Sequence, residues 1–319
     1  MTESQDDQPV RVAYDEFSLF HENAAEFGLR YDGPPTVRRV EVRLDDGRQA
    51  SALVWGDSPP ELVLIHGGAQ NAHTWDTVAL ALDRPLVAVD LPGHGHSDGG
   101  RNGSLDLRAN AEDVATVVKV LAPDARAIVG MSLGGMTALA LADAHPELVR
   151  AVTLVDITPG VTDAKAAAIT AFIDGPESFA DFDELLARTI EHNPTRSVSS
   201  LRRGILHNAV QREDGTWVWR YARFRAGDAV TAPEPSSPPL EPSDLWEVVS
   251  QLDVPLLLVR GMRPQSVVDD ADEAELLRRR PDAQIAHVAD AGHSVQGDAP
   301  VELARLLDRF LTDLPAHPA

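Results

Sequence analysis

Apolar and polar residues alternate over residues 37–44, a turn signal Asp45-Asp46-Gly47 follows, and a second strand-like run covers residues 52–55. Period-two alternation on either side of a tight turn predicts an antiparallel hairpin. The pattern then changes. Residues 62–65, 86–89, 127–129, 151–155 and 255–259 are short, nearly uninterrupted apolar runs, as expected of strands buried on both faces. Residues 284–288 form the last expected strand. Between these runs, residues 105–121, 136–144, 271–280 and 301–314 carry apolar positions at three- and four-residue spacing, which predicts helices. Strands alternating with helices define the class as α/β, with a doubly wound, mostly parallel sheet.

One interval breaks the alternation. Residues 158–251 contain no convincing strand of the series but several helix-like pieces, at 164–172, 179–192 and 197–208. They read as an inserted helical cap. The interval closes through residues 232–242 (APEPSSPPLEP), which proline keeps from being helix or central strand and which reads as an extended surface linker. The expected organisation is an N-terminal extension over 1–36, a core built from 37–157 and 252–319, and a cap over 158–251. No internal repeat is evident.

Composition narrows the function classes. The 319 residues, 43% of them hydrophobic, suffice for one large domain with an insertion. A formal charge of −22 repels phosphate backbones and anionic headgroups, so neither nucleic acid nor a membrane is an expected partner. Cysteine is absent, which removes thiol nucleophiles, disulfides and thiolate metal sites. The first residues are polar and acidic, and no apolar run approaches the roughly 20 residues of a membrane span. A cytoplasmic, soluble protein is expected. Oligomeric state is left open.

The chemistry concentrates at Gly130-Met131-Ser132-Leu133-Gly134-Gly135, a G-x-S-x-G motif directly after an apolar run and before a helical stretch. That strand-turn-helix context is what the motif requires, with Ser132 as nucleophile on a strained turn and glycines letting neighbouring chain pass. A hydroxyl needs a base. Among 11 histidines, His293 is the expected base, because it follows the last strand in a loop facing the elbow; His94 and His96 follow an earlier strand. The N–H groups of Gly68 and Leu133 are the expected oxyanion donors. His66 is expected to brace its loop, and Trp75 and the segment 90–98 to pack around the site. No metal constellation and no cofactor motif is seen.

His66-Gly67-Gly68, the segment DLPGHGHSD over 90–98, GMSLGG over 130–135 and AGHS over 291–294 follow one another as serial signatures. In this order they make the chain resemble the α/β-hydrolase superfamily from about residue 37 onward. The resemblance implies a Ser-His-acid triad beneath a cap; it names no substrate. The acid departs from the commonest pattern. In most relatives it stands early in the loop after the strand at 255–259, yet residues 260–268 hold no carboxylate. Asp156, at the end of a buried strand beside the elbow strand, resembles the acid of a subgroup of small-ester hydrolases and is preferred. Asp269 is the alternative, with N-terminal capping of a helix as its other reading.

Within the cap, Trp217, Trp219 and Arg220 are expected either to line a substrate pocket or to seat the cap on the core. The expected reaction is hydrolysis of a small-molecule carboxylic ester, thioester or lactone through an acyl-enzyme on Ser132. Carbon–carbon bond hydrolysis on the same triad, a haloperoxidase-like side activity and a non-catalytic ligand-binding fold are the alternatives. Haloalkane dehalogenase and epoxide hydrolase chemistry is disfavoured, since the resemblance implies a carboxylate nucleophile for those families.

Overall fold

The structure is a computed structural model that describes residues 11–100, 106–222 and 240–315. In chain order its helices are α1 (Phe20–Glu26), α2 (Asp76–Leu82), α3 (Leu107–Leu121), α4 (Leu133–Ala144), α5 (Asp163–Ile173), α6 (Phe182–His192), α7 (Val198–Asn208), α8 (Leu245–Gln251), α9 (Asp270–Arg279), α10 (Val295–Asp298) and α11 (Pro300–Asp313). The strands are β1 (Val37–Arg43), β2 (Gln49–Trp55), β3 (Leu62–Ile65), β4 (Leu86–Val89), β5 (Ala127–Met131), β6 (Val152–Val155), β7 (Ser178–Phe179), β8 (Ala209–Gln211), β9 (Trp217–Trp219), β10 (Leu256–Gly261) and β11 (Gln284–Val288). Eight of them form one sheet in the order β1-β2-β4-β3-β5-β6-β10-β11. The β1–β2 and β2–β4 pairs are antiparallel and every later pair is parallel.

The apolar runs explain the two helical layers. In β3, Val63 and Ile65 join a cluster with α3, α4 and α8, while Leu62 and Leu64 join a second cluster with α2 and α11. Successive side chains of a strand point to opposite faces, so a run without polar residues must be covered twice. The parallel strands end together on one edge, where their loops meet.

The insertion differs from the all-helical expectation. Besides α5, α6 and α7 it contains a three-stranded antiparallel sheet, β7-β9-β8. Its strands are two or three residues long, too short for a period to register. Residue 179 belongs to β7; α6 starts only at Phe182, because Asp181 caps it by accepting from the Glu184 N–H at 2.9 Å. Phe179, Leu185, Ile205 and Trp217 form the insertion's own small core. The insertion's separate packing also stops short of residue 251. Leu245 and Val249 of α8 are buried in the main cluster against the α4 layer, since α8 is the first helix of the returning core. Residues 232–239 of the proline-rich return lie outside the described residues.

The N-terminal extension is wedged between the two parts. Phe20 of α1 is buried in the core, Tyr14 and Leu19 pack on the insertion's cluster, and Glu26 of α1 pairs with Arg203 of α7. No helix among the described residues is long and apolar enough to cross a membrane.

Candidate active site

The turn from β5 into α4 holds Ser132 at φ 51°, ψ −120°, a region that costs a side-chain-bearing residue on the order of 1–3 kcal/mol. Its glycines are steric requirements. A Cβ on Gly134 would lie 2.2 Å from the Ile65 carbonyl oxygen, and one on Gly130 2.2 Å from that of Gly134. Ser132 thus stands where two strands and a helix converge.

Asp156 follows β6, also with positive φ (47°), and is fully buried. Its Oδ1 accepts from the Gly261 N–H at 2.8 Å and the Ser266 hydroxyl at 2.6 Å. Its Oδ2 accepts from the Val267 N–H at 3.1 Å and lies 3.0 Å from His293 Nδ1. Four donors thus hold a carboxylate that has no access to water, which is what a buried charge requires. The loop bearing His293 is tied down independently: Arg263 N–H donates to the Ala291 carbonyl at 2.9 Å and Gly292 N–H to Asp298 at 2.9 Å. A Cβ on Gly261 would meet the Gly292 carbonyl oxygen at 2.2 Å, so glycine lets the end of β10 pass beside that loop.

With Nδ1 bound to Asp156, Nε2 is the nitrogen left to exchange protons. Neither Nε2 of His293 nor the Ser132 hydroxyl has a hydrogen-bond partner among the described residues. Catalytic hydrogen bonds of this kind commonly tighten only when substrate is bound.

The loop after β3 presents donors. Gly67 N–H is held by the Gln70 side chain at 3.2 Å and Ala69 N–H by His94 Nε2 at 3.1 Å. Between them the Gly68 N–H, like that of Leu133 at the head of α4, donates to nothing among the described residues. His66 and His94 are braces. His66 Nδ1 lies 2.7 Å from the Gly67 carbonyl and its Nε2 accepts from Leu91 N–H at 2.9 Å, and burial pushes its pKa down to about 3. His94 reaches the Pro92 carbonyl with its other nitrogen, at 2.9 Å.

The remaining sequence candidates separate. Asp269 is not beside the histidine: its carboxylate caps α9 through the N–H groups of Ala271 and Asp272, both at 3.0 Å, and pairs with Lys165 at 2.9 Å. Trp217 is buried in the insertion's core, its ring edge-on to Phe182 at 5.1 Å, and is not on the wall of the cavity between insertion and core. Trp219 does line the cavity between insertion and core, stacked on Tyr221 at 5.5 Å. Arg220 is fixed through its backbone N–H to the Asn208 carbonyl at 2.8 Å. Ser266, Gln70 and Gly261 were not singled out from the sequence. Ser266 was detectable only in that a hydroxyl stands in the loop where relatives commonly carry the acid.

One group among the described residues offers metal-ligand atoms within 4.8 Å of one another: His73, Asp76 and His207. The two rings stack at 3.9 Å with 12° between their planes. Ring lone pairs lie in the ring plane, so here they run side by side, and a tetrahedral site would require one ring to turn.

Known proteins resemble this chain over most of its length. The chain is 42% identical over 302 residues to an esterase of Mycobacterium tuberculosis, Rv0045c, covering 92% of this chain and 94% of that protein. A solved structure of that esterase superposes with a TM-score of 0.80 over 94% of this chain and all of the other, at 41% identity. A 2-(acetamidomethylene)succinate hydrolase of Mesorhizobium japonicum is 27% identical over 281 residues, 85% of this chain and 95% of its own length. A model of the alpha/beta hydrolase family matches residues 62–306, and this chain belongs to that family.

Proposed function

We propose that this protein is a carboxylesterase-type serine hydrolase acting on a small-molecule ester, with Ser132, His293 and Asp156 as its triad. The supporting observation is the buried His293–Asp156 contact at 3.0 Å, on a carboxylate already saturated by three other donors. Asp156 fixes the imidazole with Nε2 as the reactive nitrogen. Nε2 takes the Ser132 proton as Oγ attacks the ester carbonyl, and the Gly68 and Leu133 N–H groups receive the developing oxyanion. His293 then protonates the leaving alcohol, and water activated by the same nitrogen releases the acid. A thioester or lactone would follow the same steps. The insertion acts as a cap that borders the substrate space, with Trp219 on its wall, and the protein works as a cytoplasmic enzyme without a cofactor.

The deciding experiment is labelling of purified protein with a fluorophosphonate probe, located by mass spectrometry, with Ser132→Ala as control. An adduct on Ser132 that vanishes in the control is expected, together with hydrolysis of short p-nitrophenyl esters. A protein that leaves this small probe unreacted is not a serine hydrolase, and a ligand-binding role would replace the reading.

A further inference from the structure

A cavity of about 160 Å³ lies between the insertion, the N-terminal extension and the core. It adjoins the proposed catalytic end. Gln70 and Ser294 are on its wall; Gln70 holds the loop of Gly68, and Ser294 follows His293 in the chain. Gln70 Oε1 and the Ser132 Cβ both lie within 3.5 Å of where a Cβ on Gly67 would be.

Its lining is unusual for this molecule. In a chain of formal charge −22, the wall carries one carboxylate, Asp76, against Arg196, Arg203 and His73. Asp76 already has a partner, since its Oδ2 lies 2.9 Å from His73 Nδ1. Arg203 pairs with Glu26 and Glu22. Arg196 alone of these has no carboxylate within 4.0 Å among the described residues, with Asp298 and Glu26 farther off but near enough to favour its charge. Its Nη2 donates to the Ser200 hydroxyl at 2.6 Å, and its Nε is buried with no partner. Burial lowers its pKa below the ordinary arginine value. Space has been made for it, since a Cβ on Gly297 would lie 2.8 Å from the guanidinium carbon. Buried polar atoms without a hydrogen-bond partner also occur on Asp76, Arg203, His207 and Gln296, all on this wall. Such atoms are costly in interiors and call for water or a ligand to satisfy them.

We propose that this cavity receives an ionised carboxylate of the substrate, with Arg196 as its counter-ion, so that the enzyme's substrates are esters of acids or alcohols bearing a second, anionic group. The inference rests on the esterase reading. A guanidinium presents a rigid fork of donors that matches a carboxylate in two-point contact, and burial strengthens that contact.

The test compares kcat/KM for matched pairs: monomethyl glutarate against methyl pentanoate, and acetoxyacetate against propyl acetate. The wild type is expected to favour the anionic member of at least one pair by about ten-fold or more, the scale of a hydrogen bond to a charged group. Arg196→Gln should bring that ratio close to one and Arg196→Lys should restore part of it. A ratio within one preparation is unaffected by loss of folded enzyme. Neutral esters favoured in both pairs, or a preference that survives Arg196→Gln, overturns the proposal. If no ester is turned over, the esterase reading fails separately. Calorimetry of glutarate with Ser132→Ala, with and without Arg196→Gln, then decides the cavity alone: binding heat that depends on Arg196 upholds it, and its absence refutes it.

Discussion

Two regions of this molecule carry nearly the same contact, a buried histidine against a buried aspartate. At the sheet edge His293 Nδ1 lies 3.0 Å from Asp156 Oδ2; on the cavity wall His73 Nδ1 lies 2.9 Å from Asp76 Oδ2. What surrounds them differs. Besides His293, Asp156 accepts from three groups of β10 and its following loop, whereas Asp76 Oδ1 has no partner among the described residues. The outer nitrogen of His293 is unclaimed among the described residues. That of His73 is enclosed by Glu16 at 3.5 Å and Arg39 at 3.4 Å, with His207 stacked on the ring. A histidine–aspartate contact is therefore not in itself a catalytic unit. The proposed triad rests on the pair whose acid is fully held and whose far nitrogen is unclaimed; the other is an ion pair within the core that Glu16 of the N-terminal extension reaches at 3.5 Å.

The sharpest way to break this comparison is to neutralise each acid in turn. Asp156→Asn is expected to lower kcat on a short p-nitrophenyl ester by about 10⁴-fold, because the amide no longer holds the required tautomer. Asp76→Asn leaves the His73 charge buried without its partner and is expected to cost roughly 3 kcal/mol of stability in urea unfolding. Assayed well below its melting temperature, its loss of kcat should be at least 100-fold smaller than that of Asp156→Asn. Equal losses of kcat would erase the distinction between the two pairs.

A pH titration sharpens it further. His73 is raised from 6.5 to about 9, so its charge stabilises the fold fully below pH 6.5. That contribution is lost as pH rises through about 9. Unfolding free energies measured between pH 6 and 9.5 should show this decline in the wild type and lack it in His73→Gln. Parallel curves for the two proteins would place the cation elsewhere.

The smallest effect concerns the rejected acid. Asp269→Asn should keep kcat within a few-fold and shift stability by no more than about 1 kcal/mol, the scale of an N-cap, as a small change in Tm. A loss comparable to that of Asp156→Asn would return Asp269 to the triad.

Much of this was legible in advance because it is local. The strands buried on both faces announced themselves by their unbroken apolar runs, and Ser132 by the glycines that its sharp turn requires. Asp156 could be preferred because it ends a buried strand beside the elbow strand and resembles the acid of a subgroup of small-ester hydrolases. What escaped the reading was short or non-local. β7, β8 and β9 have too few residues for a period, and Trp217 and Trp219, two positions apart on β9, differ in role because one belongs to the insertion's core and the other to the cavity. α8 reads as part of the insertion by position, yet it packs against α4.

The sequence by itself determined the class of fold, the order of the elements and the residue types able to carry acyl transfer, since strand periodicity and turn chemistry act over a few neighbouring residues. Only the tertiary structure decided which carboxylate meets His293, with Ser266 and the backbone of β10 supplying donors more than 100 positions away in the chain. It alone brought Arg196, Gly297 and the N-terminal extension around one cavity. Contacts of that kind depend on how whole elements pack, and no pattern among adjacent residues records them.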